Sequence, residues 1–395
     1  MSPKLFSRNP DLQRLRDDGY FVQIVDDDKF LVMREVPYVN DRREVKLGTL
    51  VTALELAGDI TKKPVPTHVV MFDGDYPCDA NGKVMNLGGP GDRREVAPGL
   101  FVRHSFSQKP DGGYADYYAK MTTYHAMLAA PARVVDPEIK PRQFAAPADS
   151  DPESIFEYPD TASGRTGTAA LAALFKSEII ALIGLGGTGA YILDKVAKTP
   201  VREIRLFDAD EFLNHNAFRA PGAASLEELR LAPLKVDYFK AIYSRMHRGI
   251  TAHPVMQGPK HVHLLDGVTF AFIAMDDGPE KEAVINKLEA IGASFIDVGM
   301  GLSLDELSLG GILRVTASTP AHREVVRRHV SFAEKGEGGV YESNIQVADL
   351  NSLNADFAVI KWKKMRGYYR DLEKELHSTY TTDGNFIVNR DRDRG

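Results

Sequence analysis

The sequence predicts an α/β protein, with a mainly parallel sheet in the second half of the chain and a smaller α+β domain before it. Three observations predict it. The run Ile179-Ile180-Ala181-Leu182-Ile183 is continuously apolar, as a strand buried on both faces of a parallel sheet must be. Strand and helix patterns alternate from there to about residue 315, as right-handed βαβ units require. Between the halves, residues 137–164 lose periodicity and turn to Pro, Asp, Ala and Ser. That shift sets a Pro-rich linker at 141–164, between a domain at 1–140 and one at 165–378, and leaves a C-terminal tail at 379–395.

In the first half, residues 21–25 and 30–33 flank Asp26-Asp27-Asp28-Lys29 and predict a hairpin. Residues 67–72 form a strand closed by the turn chemistry of Asp73-Gly74-Asp75. Tyr117, Met121, Tyr124, His125 and Leu128 have helical spacing. Their aromatic cluster fits a helix packed on its sheet or a partner-binding surface. His104 and His125 lack the local spacing of a metal pair. In the second half the strands run at 179–183, 203–207, 268–275, 294–298 and 311–315, with helices after the first strand and near 280–291.

With 395 residues, 43% hydrophobic and 26% charged, the chain has material for two or three cores and is not disordered. Forty-nine basic against 55 acidic side chains give a net charge of −6, which argues against nucleic acid held by bulk charge. A single cysteine, Cys78, excludes an internal disulfide and a cysteine-built zinc site. No apolar run approaches the roughly 20 residues that span a bilayer. A cytoplasmic protein without a membrane partner is the expectation.

Function is written most densely after strand 179–183. Gly184-Leu185-Gly186-Gly187-Thr188-Gly189 follows it and opens a helix. Glycine serves where the backbone must turn sharply and approach a phosphate, and the helix end offers free N–H groups to an anion. Asp208 closes the next strand, where a carboxylate can accept ribose hydroxyls. Strand, glycine turn, helix and acidic residue together predict a Rossmann-like nucleotide site at Gly184, Gly186, Gly187, Gly189 and Asp208. NAD fits these features as well as ATP does.

The residues beyond Asp208 separate the two. Asp208-Ala-Asp210-Glu-Phe-Leu-Asn-His-Asn216-Ala-Phe-Arg219 resembles the signature of the ThiF/MoeB and ubiquitin-activating adenylyltransferase superfamily. Pro233-Leu234-Lys235-Val236 is similar to that family's phosphate-contacting lysine segment, and Met275-Asp276-Asp277 to its magnesium-associated aspartate. The resemblance covers about 165 to 370. It implies a ThiF-type adenylation domain that binds ATP and Mg2+ through the glycine loop, Asp208, Asp210, Asn216, Arg219, Lys235 and Asp276, with Asp276 on the metal. The chemistry agrees, since activating a carboxylate with ATP needs cations around the triphosphate, a metal carboxylate and a neutral donor. The match to an arginine just before the first strand implies that Arg165 reaches into a partner subunit's site, and hence a homodimer. Taken alone, each of these residues also has an ordinary reading: Arg219, Lys235 or Arg165 as a solvated charge, Asn216 or Asp276 as a cap.

The chain departs from many relatives in having no thioester cysteine at 331–344 and no zinc cysteines, so no structural zinc is expected. Its N-terminal half resembles the domain fused to ThiF-type proteins in bacterial ubiquitin-like operons, which are linked to antiviral defence. Together these imply adenylation of a ubiquitin-like protein's C-terminal carboxylate for transfer to a conjugating enzyme. The alternatives are a sulfur-carrier activating enzyme, an NAD(P)-dependent oxidoreductase and a non-catalytic scaffold. Cys78 lies far from every nucleotide motif, beside Asp75 and Asp79, which disfavour a thiolate.

Overall fold

Chain order reverses around strand Ile179–Ile183 in the eight-stranded sheet of the second half. Strands Glu203–Phe207 and Ile250–His253 stack outward on one side of it, and Phe270–Ile273 and Ser294–Asp305 on the other. These five are parallel. Strands Ser308–Ser318, Glu375–Thr381 and Phe386–Arg392 then extend the sheet antiparallel. This computed structural model describes residues 3–64, 68–140, 142, 144, 154–166, 168–256, 258–330, 332 and 345–393. The chain divides into two units, residues 1–154 with 158–169, and 155–157 with 170–395.

Each face of the second unit's sheet carries its own core. Helix Gly187–Val196 and helix Ala348–Met365 cover one face, with Ile192, Leu193 and the fully buried Trp362 packed on Ile180, Leu182 and Phe272. Helix Pro279–Ala290 places Val284, Ile285 and Leu288 against Ala181, Ile183 and Ile273 on the other. Burial on both faces is why strand 179–183 is apolar at every position.

Several elements here were outside the sequence expectation, strand Ile250–His253 and helix Lys235–Tyr243 among them, and two others show the reason. Residues 379–395, read as a tail, contain strand Phe386–Arg392, which pairs with Glu375–Thr381 across a turn at 382–385. Most of the later strand faces solvent. Phe386-Ile387-Val388-Asn389-Arg390-Asp391-Arg392 therefore forms it without the apolar alternation that a half-buried strand would show. Helix Ala348–Met365 buries Asn351, Asn354 and Lys361 on its inner side, which erases the apolar stripe that marks a helix.

In the first unit, a six-stranded antiparallel sheet runs in the order 22–25, 30–39, 45–53, 69–73, 104–107, 88–89. Asp26, Asp27 and Asp28 all take positive φ in the hairpin turn, where aspartate is among the better-tolerated residues. Helix Tyr117–Val135 is capped by Asp116, whose carboxylate accepts the Ala119 N–H at 2.7 Å. Its Tyr117, Met121, Tyr124 and Leu128 sit in the core with Phe72 and Phe106. The aromatic cluster is therefore packed rather than displayed. Of the expected linker, residues 141, 143 and 145–153 lie outside the described residues, and helix Thr161–Thr166 begins within it.

Candidate functional site

Strand 179–183 ends in a turn that needs glycine at two positions. Gly184 has φ +88°, and a side chain there would come within 2.4 Å of the Ala274 carbonyl. A Cβ on Gly189 would lie 1.9 Å from the Gly184 carbonyl, so the first helical turn closes directly on the loop. Gly186 caps helix 187–196 without any side-chain acceptor, which leaves the helix's first N–H groups available. The space beside the Gly186 Cα is open, as close approach of a ligand requires. Thr188 Oγ1 donates to Asn351 Oδ1 at 2.9 Å and ties this turn to helix 348–365.

Asp208 anchors the loop from the neighbouring strand. Its Oδ2 accepts the Leu185 N–H at 2.7 Å and its Oδ1 accepts the Asp210 N–H at 2.9 Å. Lys235, 6% exposed, donates to Asp210 Oδ2 at 2.6 Å and lies 3.6 Å from Asp208 Oδ1. Asn216 is also buried, and its side-chain oxygen accepts the Leu213 N–H at 2.9 Å, closing the short helix Asn214–Ala217. The Arg219 carbonyl accepts from Asn351 Nδ2 at 3.5 Å. Its Nε is buried without a hydrogen-bond partner among the described residues. Asp208, Asp210 and Lys235 thus form one connected group behind the glycine loop, with Asn216 and Arg219 on the segment that follows.

In front of the loop lies a polar cleft of about 400 Å³. It sits where the strand order reverses, at the carboxyl ends of strands 179–183 and 270–273, the position at which open α/β sheets bind ligands. Gly186 and Gly187 form one wall, Asp276 and Asp277 another, and Gly299, Gly301 and Arg314 the far side. Asp276 is exposed, and its carboxylate makes no hydrogen bond or ion pair among the described residues. Asp277 is 2.8 Å from Lys281 Nζ. Lys281 is 3.0 Å from the fully buried Asp297, which is 2.7 Å from Arg314 Nη2. Neither of the Asp297 contacts is aligned as a hydrogen bond, so the attraction is ionic rather than directional.

The cleft therefore gathers Gly186, Gly187 and Asp276 of the residues expected from sequence. Gly184 and Gly189 shape its floor, while Asp208, Asp210, Asn216, Arg219 and Lys235 stand behind it. Arg165 falls in helix Thr161–Thr166, and its side chain lies outside the described residues, as do 333–344 of the loop read for a thioester cysteine. Cys78 is 1% exposed and bonded through sulfur to the Tyr76 carbonyl, and burial raises its pKa, with Asp41 and Asp79 adding to the shift. Lys281, Asp297 and Arg314 were not anticipated. The signal for the last two is a charged residue inside an otherwise apolar strand, Asp297 in Ser294-Phe295-Ile296-Asp297-Val298 and Arg314 in Leu313-Arg314-Val315. A charge in such a place needs a partner. Among the described residues, no three His, Cys, Asp or Glu side chains converge as a metal set.

A domain of unknown function, DUF6791, matches residues 10–161. Comparison with curated proteins gives no match. Among solved structures, PaaA is 16% identical with a TM-score of 0.44, over 57% of this chain and 76% of its own. The E. coli MccB complex with ATP is 14% identical with a TM-score of 0.41, over 57% and 66%. The microcin C7 biosynthetic enzyme MccB bound to N-formylated MccA is 16% identical with a TM-score of 0.45, over 58% and 70%. The chain thus spans about two thirds to three quarters of these proteins. Likeness of this degree carries no case for activity, and the fold reading rests on the strand order given above.

Proposed function

We propose that the chain activates a carboxylate with Mg-ATP, forming an acyl adenylate and releasing pyrophosphate. The observation that carries this is that the exposed Asp276 carboxylate, unpaired among the described residues, and the uncapped helix end at Gly186 line one polar cleft. Free N–H groups suit phosphate oxygens. A lone carboxylate beside them suits magnesium, which takes one or two protein ligands and completes its shell with phosphates and water. The residues therefore fit both groups. Hydride transfer to nicotinamide has no use for a carboxylate at that position.

In this reading each residue has a stated task. The loop N–H groups hold phosphate oxygens, and Gly186 lets them approach. Asp276 holds one face of the metal. Lys235 and Arg219 supply positive charge near the triphosphate, and Lys235 exchanges Asp210 for a phosphate oxygen to do so. Asp208 keeps the loop in shape and retains unused lone pairs for a ribose hydroxyl. Bound magnesium would neutralise charge that develops on the phosphates. A substrate carboxylate oxygen then forms a bond to the α-phosphorus as the bond to the β-phosphate oxygen breaks, and pyrophosphate leaves with that electron pair.

The substrate we propose is the C-terminus of a ubiquitin-like protein, passed on to a conjugating enzyme. What supports it is the resemblance of the Asp208–Arg219, Lys235 and Asp276 motifs and of the N-terminal half described above. A homodimer, with Arg165 serving the partner's site, belongs to the same reading. ATP–pyrophosphate exchange, run with and without candidate ubiquitin-like and sulfur-carrier proteins, tests it. Exchange that depends on a ubiquitin-like protein is expected. Exchange that only a sulfur carrier supports would replace the substrate, and none with any carboxylate would end the reading.

A further inference from the structure

Lys281 stands in the first turn of helix Pro279–Ala290, where a positive charge opposes the helix dipole, and it is 1% exposed. A buried ammonium at a helix N-terminus is costly unless carboxylates compensate it. Two do: Asp277 at 2.8 Å, directly after Asp276 in the chain, and Asp297 at 3.0 Å on strand 294–305. Asp297 reaches on to Arg314 on strand 308–318 at 2.7 Å. That guanidinium lies against Gly299, where a Cβ would come within 2.7 Å of Nη2. The signs alternate along Asp277, Lys281, Asp297 and Arg314, so the four side chains are neutral together. Among the described residues, Asp276 is left as an uncompensated charge of the cleft wall.

We infer that Lys281 is a positioning residue, which ties the Asp276 loop to strands 294–305 and 308–318 and so fixes where that carboxylate meets a divalent cation. The inference rests on the reading of the cleft as a metal–nucleotide site. The Lys281 ammonium is held by Asp277 and Asp297 and acts through Asp277. A purely structural lysine would affect folding stability and leave metal dependence alone. A positioning lysine changes the advantage that magnesium gives to nucleotide binding.

The test compares ATP affinity by calorimetry with magnesium and with the metal chelated, for wild type, Lys281→Met and Lys281→Arg. Lys281→Met is expected to lower the ratio of the two affinities by about tenfold or more, as loss of a group that orients a metal ligand does, and to leave metal-free affinity unchanged. Lys281→Arg should keep most of the ratio. A wild-type ratio in Lys281→Met overturns the inference. If Lys281→Met does not fold, Asp277→Asn removes only the loop end of the tie and is judged by the same ratio. Failure of the wild type to bind Mg-ATP would defeat the site reading instead. Hydrogen exchange of amides 275–278 then decides the positioning alone: faster exchange in Lys281→Met than in wild type, with 180–182 unchanged, supports it, and equal exchange overturns it.

Discussion

Asp276 has no partner among the described residues, so loss of its charge removes no contact that holds the fold. Asp276→Asn is expected to change unfolding free energy by less than about 0.5 kcal/mol, as surface substitutions do. Pyrophosphate exchange should fall by about a hundredfold, corresponding to about 2.7 kcal/mol of lost electrostatic stabilisation. Thermal melting and exchange on the same sample check both halves, and a folded variant with normal exchange would make Asp276 a bystander. His377 tests the electrostatics elsewhere in the second unit. Burial first, then the neighbouring charges of His329 and Arg314, hold its pKa down to about 4 from the ordinary 6.5, and Thr316 Oγ1 lies 3.0 Å from its Nδ1. The folded state therefore favours the neutral ring, while the unfolded chain takes up the proton first. Its contribution is complete above 6.5 and is lost as pH falls from there toward 4, to a total of up to about 3 kcal/mol. His104, His247 and His253 are lowered by burial too and add loss in the same direction. Denaturant unfolding at pH 7 and pH 4.5 should show His377→Asn narrowing the gap between the two pH values; an unchanged gap would contradict the cause given.

At the scale of elements, the glycine loop separates fold from ligand. Gly189→Ala puts a methyl 1.9 Å from the Gly184 carbonyl and should destabilise the second unit by several kcal/mol through backbone displacement. Gly186→Ala meets nothing within 4 Å, so the fold should hold while the methyl occupies the approach to the helix N-terminus and nucleotide affinity drops. Circular dichroism melts and nucleotide titrations distinguish the two; a Gly186→Ala variant with full affinity would place the phosphates elsewhere. The strand and the glycine turn were legible because burial on both faces and backbone crowding each leave one kind of residue. Helix 348–365 and strand 386–392 were not, because buried asparagines and an exposed strand face each remove the hydropathy contrast that marks an element.

For the whole molecule, the mainly parallel sheet followed from the order of apolar runs, and the glycine loop marked a nucleotide site, whereas the strand order and its reversal at strand 179–183 came only from the structure. Of the charges that line the cleft, Asp276 was expected from its motif, and Lys281 and Arg314 were not. Lys281, Asp297 and Arg314 are far apart in sequence and meet only because neighbouring strands and a helix end bring them together. Asp208, Asp210 and Lys235 were found by motif, yet the bonds they make, to the loop backbone and to each other, depend on tertiary placement. The central claim is that the cleft at this reversal takes Mg-ATP, and isothermal calorimetry of the full chain against Mg-ATP and NAD, titrated separately, tests it most directly. The account predicts saturable one-site binding of Mg-ATP and no binding heat from NAD, and saturable binding of NAD without binding of Mg-ATP would contradict it.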